Sequence, residues 1–97
     1  MKIGAARLTF HLPENGSLKG KRRVAQALAS RLRQQFHAAV AEVGEQERWQ
    51  TLVLAVVCVS NEEGHAERML DNAIAFAERQ RLDAELINVS RQVLDGA

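Results

Sequence analysis

The chain has 97 residues, 46% hydrophobic and 26% charged, with a formal net charge of +1. That length and balance fit one globular domain and exclude a disordered chain. The longest apolar run, Leu52 to Val59, has the length of a strand, so no membrane span is expected; with no secretory leader and one cysteine, Cys58, a cytoplasmic protein without an internal disulfide is expected.

Ile3 to Leu12 alternates, with Ala6, Leu8, Phe10 and Leu12 on one side and Ala5, Arg7, Thr9 and His11 on the other. This is the pattern of a half-buried strand. Pro13-Glu14-Asn15-Gly16 ends it in a turn. Ser17 is placed to cap a helix starting at Leu18 or Lys19. Val24, Leu28, Arg31, Leu32 and Gln35 form one stripe of that helix, with Ala27 beside it. Lys19, Arg22, Gln26, Ser30 and Arg33 form its basic outer face. Phe36 to Val43 reads as a second strand whose facing is ambiguous, because His37 and Glu42 fall on opposite sides. After an acidic connection, Trp49 is expected to pack at the rim of the core.

Thr51 to Ser60 is the strongest strand and is apolar on both faces. Ser60-Asn61-Glu62-Glu63 reads as a capping box opening a second helix. Ala66, Met69, Leu70, Ala73, Ile74 and Ala77 make its buried stripe, and Arg79 and Arg81 sit at its carboxyl end. Ala84 to Val93 alternates again, with Ile87, Val89 and Val93 on one side and Leu86, Asn88, Ser90 and Gln92 on the other.

Two strand–helix–strand units predict an α+β, ferredoxin-like βαββαβ fold. Two helices cover one face of a four-stranded antiparallel sheet, with the first and third strands central. The third strand then has an apolar side facing away from the helices. A second copy of the chain is one cover for it; Trp49 or the carboxyl tail folding over is the other.

Charge is unevenly spread. Residues 1–40 hold eight basic groups and one acid, a net of +7, whereas residues 41–97 carry a net of −6. Lys19-Gly20-Lys21-Arg22-Arg23 puts four cations at the amino end of a helix, where the dipole is already positive. An anion there would gain from the cations, the dipole and the free N–H groups. Lys19, Lys21, Arg22 and Arg23, extended by Arg33, are therefore the candidate nucleic-acid-binding residues; a solvated basic face is the competing reading. Arg7, Thr9, His11, Asn88, Ser90 and Gln92 could form a polar patch on the open sheet face. It has no aromatics, so RNA recognition by stacking is not expected. His11, His37 and His65 share no metal spacing, and Cys58 reads as a buried small hydrophobe. No Walker loop, nucleophile elbow, Rossmann fingerprint or acylphosphatase-type anion loop is present, so neither catalysis nor a cofactor is expected.

His11-Leu12-Pro13, Ser17-Leu18-Lys19-Gly20-Lys21-Arg22-Arg23-Val24, Arg31-Leu32-Arg33, Ala41-Glu42-Val43, Trp49-Gln50, Val59-Ser60-Asn61 and Ala84-Glu85-Leu86 together resemble the YlxP-like family of small bacterial proteins, over nearly the whole chain. The resemblance implies a ferredoxin-like fold, a cytoplasmic protein and no catalytic residues to carry over. Genes of that family often lie beside those for translation initiation and ribosome maturation factors, which implies a role near RNA or a ribosomal subunit. A glutamate is frequent in the family where this chain has Gly20. Two functional expectations follow: an RNA- or ribosome-associated factor acting through the basic helix end, and an oligomerising interaction module acting through the open sheet face.

Overall fold

The computed structural model describes residues 1–80 and 83–97. The elements run β1 (Lys2–His11), α1 (Leu18–Gln35), β2 (Ala39–Glu42), β3 (Thr51–Ser60), α2 (Glu63–Glu78) and β4 (Glu85–Asp95). The sheet order is β2-β3-β1-β4, every neighbouring pair antiparallel. The expected α+β, ferredoxin-like arrangement is therefore present, with β1 and β3 central. Arg81 lies outside the described residues.

Alternation decides which face is covered. Ala6, Leu8 and Phe10 of β1 lie opposite Val56, Leu54 and Leu52 of β3, and all six are buried. Gly4 continues this face opposite Cys58; a Cβ at Gly4 would come within 2.8 Å of the Cys58 sulfur. Burial pushes the Cys58 thiol above its usual value, against a smaller opposing bond from the Gly4 backbone. Leu28, Leu32, Leu70, Ala73 and Ala77 of the helices close this core. Phe36 and Phe76 add an edge-to-face ring pair 5.4 Å apart between the carboxyl ends of the helices.

Four details differ from the sequence reading, each for a physical reason. The buried stripe of α1 is Lys21, Ala25, Leu28, Ala29 and Leu32, rotated from the predicted one, because Lys21 belongs to it. Strand β2 is only four residues long; Phe36 is the carboxyl cap of α1, its N–H donating to the Leu32 carbonyl. Ser60 remains in β3 opposite Lys2, so α2 starts later, capped by the backbone of Glu62 without a side-chain bond. A bulge at Ile87 shifts the β4 register against β1. Leu86 therefore sits opposite Phe10 on the helix side, and Ile87 is left exposed.

The first and last strands are tied by an ion pair between Lys2 and Asp95. The hydrogen bond from Lys2, and then its charge, hold the Asp95 carboxyl below the ordinary carboxylate value. A depressed folded value means the pair stabilises the protein above the unfolded value of about 3.9, and the contribution is lost as pH falls through the folded value. Asp95→Asn is thus expected to lower the urea midpoint slightly at pH 7 and to leave it unchanged below the folded value. A midpoint difference that persists there would show that the pair is not its source.

Candidate nucleic-acid interface

The outer face of α1 is set by its phase. Positions 19, 22, 23, 26, 30 and 33 recur at helical spacing, and Lys19, Arg22, Arg23, Gln26, Ser30 and Arg33 are all exposed. The helix carries six cations and no acid in its 18 residues. Ser17 caps it, its hydroxyl accepting the Gly20 N–H at 3.0 Å. Among the described residues, Lys19, Arg22 and Arg23 make no ion pair with a carboxylate. Their surroundings are not uniformly basic. Arg22 borders a depression with Glu42, Gln46 and Glu47, and Arg23 borders another with Glu14 and Asp83. Arg33 donates to the Val40 carbonyl, so it marks the far end of the track with part of its donor capacity already used. Arg31 reaches across to the segment just after α2 and donates to the Gln80 side chain at 3.0 Å.

Lys21 does not belong to this face, which corrects its place among the candidate binding residues. It is 1% exposed. Its ammonium donates to the carbonyls of Glu45 at 2.5 Å and Arg48 at 2.7 Å. It also sits 3.2 Å from Glu42 Oε2, a buried atom that accepts no aligned hydrogen bond, so the contact is ionic. A buried ammonium must be paired and hydrogen-bonded, and here Glu42 at the end of β2 supplies the charge and the β2–β3 loop the carbonyls. Lys21 thereby fastens the amino end of α1 to residues 42–48 and, buried there, is out of reach of an external phosphate.

Further contacts reinforce the same junction. The Asn15 amide donates to the Ser17 and Trp49 carbonyls. Gln50 donates to the Pro13 carbonyl at 3.0 Å, and Leu12 N–H donates to the Gln50 carbonyl at 2.9 Å. The resembling segments Leu12-Pro13, Ser17 to Arg22, Glu42 and Trp49-Gln50 thus meet in one place. Asn15 and Gln50 are turn polars with no sequence signal of this role. Lys21 carried one, its helical phase with Ala25, Leu28 and Leu32. Trp49, expected at the core rim, is 53% exposed.

Gly20 fits the junction by having no side chain. A Cβ there would come within 2.2 Å of Asn15 Oδ1. A glutamate at this position requires Asn15 to move and to surrender its two bonds. Gly20→Ala is expected to destabilise the protein by about 1 kcal/mol, the displaced bonds outweighing the helix-propensity gain of alanine. In an Asn15→Ala background the same substitution should be neutral or stabilising. Urea unfolding of the four proteins measures this; equal effects in both backgrounds would remove Asn15 as the cause.

Elsewhere, Ser60 Oγ lies 2.8 Å from His65 Nδ1. The same hydroxyl accepts the Glu62 N–H at 3.1 Å, so the pair shapes the entry to α2. Among the described residues no group of three or more His, Cys, Asp or Glu side chains could hold a metal ion, and no helix is long and apolar enough to cross a membrane.

Comparison with known proteins agrees with this frame. The uncharacterized protein YlxP of Bacillus subtilis (strain 168) is 31% identical over 74 residues, 76% of this chain and 80% of that protein. The family described as "Protein of unknown function (DUF503)" matches residues 3–91. With nearly the whole βαββαβ unit inside that match, the chain belongs to the DUF503 family, to which it is joined by YlxP-like sequence as well as by extent.

Proposed function

We propose that the chain is a non-catalytic RNA-binding factor that holds phosphates along the outer face of α1. The observation that carries this reading is the helix itself: six cations, no acid, and an exposed row of Lys19, Arg22 and Arg23 without ion pairs among the described residues. Lys19 and Arg23 lie one turn apart, and Arg22 lies beside them. Three cations in that spacing suit successive phosphates of one RNA strand, and Arg33, some 14 residues or about 21 Å further on, gives the track its direction. Contacts of this kind position a protein on RNA and carry little sequence preference. Ribosomal subunits are the RNA to test first, because genes of the YlxP-like family often neighbour those of translation factors.

The experiment is co-sedimentation with bacterial ribosomal subunits on sucrose gradients at low and moderate salt. Wild type is expected to travel with one subunit at low salt. The Lys19/Arg22/Arg23→Glu variant is expected to stay at the top. Lys21 is left intact, because its removal would confound folding with binding. Failure of the wild type to co-sediment even at low salt would sink the ribosome reading and leave the α1 face as a solvated surface.

A further inference from the structure

The chain has three phenylalanines, one tryptophan and no tyrosine. Phe10 is buried, and Phe36 and Phe76 pack against the core and each other. Trp49 alone of the four is largely open to solvent, at 53% exposure, although tryptophan is on average a highly buried residue. A loose backbone is not the reason. The carbonyls of Arg48, Trp49 and Gln50 accept in turn from Lys21 Nζ, the Asn15 amide and Leu12 N–H, and the Gln50 side chain donates to the Pro13 carbonyl. Three consecutive residues are thus fixed by the segment 12–21, and the ring they carry is held outward.

The surroundings of the ring are polar. Asn15, Gly16, Glu47, Arg48, Gln50 and Thr51 border the depression beside it, with no Leu, Ile, Val or Met among them. The anchor of a protein interface needs a desolvated, well-packed pocket, which this depression does not provide. A nucleic-acid base needs a flat ring for its face and polar groups for its edge, and both are here. The depression adjoins the basic end of α1. Asn15 and Gly16 directly precede the Ser17 cap, and the Asn15 amide bonds the Ser17 and Trp49 carbonyls together. Glu47 borders this depression and the one bordered by Arg22, so one surface runs from the cations to the ring. Charge changes along it, because Glu47 is acidic and Arg48 is paired with Glu45 at 2.9 Å. A carboxylate beside the ring repels a phosphate and accepts from the exocyclic amino group of a base. Phosphates therefore belong on Lys19 and Arg22, and a base belongs on Trp49.

We infer that the RNA is single-stranded where it crosses the amino end of α1, and that Trp49 is the platform on which one of its unpaired bases stacks. This rests on the α1 face as the phosphate track and adds what the track alone lacks, a means of telling an unpaired strand from a duplex. Inside a duplex both faces of each base are covered by its neighbours, so only an unpaired base has a face to offer the indole. The hydrogen bonds that fix residues 48–50 hold the platform in place before RNA arrives, which lowers the ordering cost of binding. Glu47 favours bases that carry an amino group over uracil.

Trp49 is the sole tryptophan, so intrinsic fluorescence reports on this ring alone. The protein is titrated at low salt with an end-labelled oligo(A) of about 12 nucleotides and with an RNA duplex of the same length, polarisation of the label following binding independently. Oligo(A) is expected to bind and quench the indole, and the duplex to bind without quenching it. Trp49→Ala is expected to weaken oligo(A) binding about 5- to 150-fold and to leave duplex binding within about twofold. Its salt slope should match wild type, because no phosphate contact is removed. Trp49→Phe should retain most of the affinity. The backbone bonds of residue 49 survive both substitutions, so the urea midpoint should stay close to that of wild type. Oligo(A) binding that leaves the fluorescence unchanged overturns the inference and spares the phosphate track. So does an equal loss on oligo(A) and duplex in Trp49→Ala, which would make the residue structural. A ring shielded by isolated ribosomal proteins but not by oligo(A) would assign it to a protein surface and overturn the inference as well. If wild type binds neither RNA, the phosphate track falls and this inference falls with it.

Discussion

Lys21→Met is expected to lower stability by about 3 kcal/mol, a large share of the roughly 5–15 kcal/mol typical of a domain of this size. Methionine keeps the length and apolar stem of lysine, so little packing is lost. What is lost is the ammonium that satisfies the Glu45 and Arg48 carbonyls and sits against Glu42. Each orphaned acceptor costs of order 1 kcal/mol, and a carboxylate only 21% exposed loses its counter-charge as well. Because that carboxylate retains some contact with water, the cost should fall below the range for fully buried pairs. Urea unfolding with an unchanged slope would measure the loss. Lys21→Met/Glu42→Gln should recover about 1 kcal/mol by removing the stranded charge. A single variant within about 0.5 kcal/mol of wild type would mean that the amine is not engaged as described, since substitutions on exposed surface stay within that margin.

The same residue shows how far the sequence could be read. Elements follow from periodicity, and β3 is found at its predicted bounds because both its faces are apolar. Lys21 falls on the core face by phase, spaced four, seven and eleven residues from Ala25, Leu28 and Leu32. A charge at such a position reads as solvent-facing unless its partners are known. Those partners are one carboxylate at the end of β2 and two carbonyls in the loop that follows, all more than twenty residues away, and the loop has no regular pattern. The ambiguous facing of Glu42 has the same origin: it lies on the helix side of β2 because Lys21 is there to meet it.

Backbone irregularities were equally hidden. The bulge at Ile87 adds one residue to an otherwise alternating strand, which reverses the assignment of Leu86 while leaving Asn88, Ser90 and Gln92 on one face. The Ser60–Glu63 spacing matched a capping box, but pairing of Ser60 with Lys2 keeps it in the strand, and a residue cannot serve both. The exposed cations of α1 were legible throughout, since amphipathic phase alone puts Lys19, Arg22, Arg23 and Arg33 outward. Their separation from Lys21 divides one basic run into two tasks: an internal fastening and an outward charge.

That division fixes the salt dependence expected of the proposed RNA binding. With Lys19, Arg22 and Arg23 each neutralising one phosphate, log affinity should fall with log salt at a slope of about −2 to −3, so binding weakens roughly 20- to 40-fold between about 50 and 200 mM salt. Counting Lys21 as a fourth contact would steepen the slope by nearly one unit. Fluorescence polarisation of a labelled RNA across a salt series distinguishes the two. Single neutral substitutions at Lys19, Arg22 or Arg23 should each flatten the slope by about 0.7 to 0.9. Lys21→Met, held folded at low temperature, should leave it unchanged, because an ammonium already bonded inside the protein releases no counterion when RNA arrives. Reversal of all three outward cations should weaken binding by at least about 100-fold at low salt, since three attractions become three repulsions. A slope that responds to Lys21 and ignores Arg22 and Arg23 would contradict this division of the run and move the phosphate path to the β2–β3 loop.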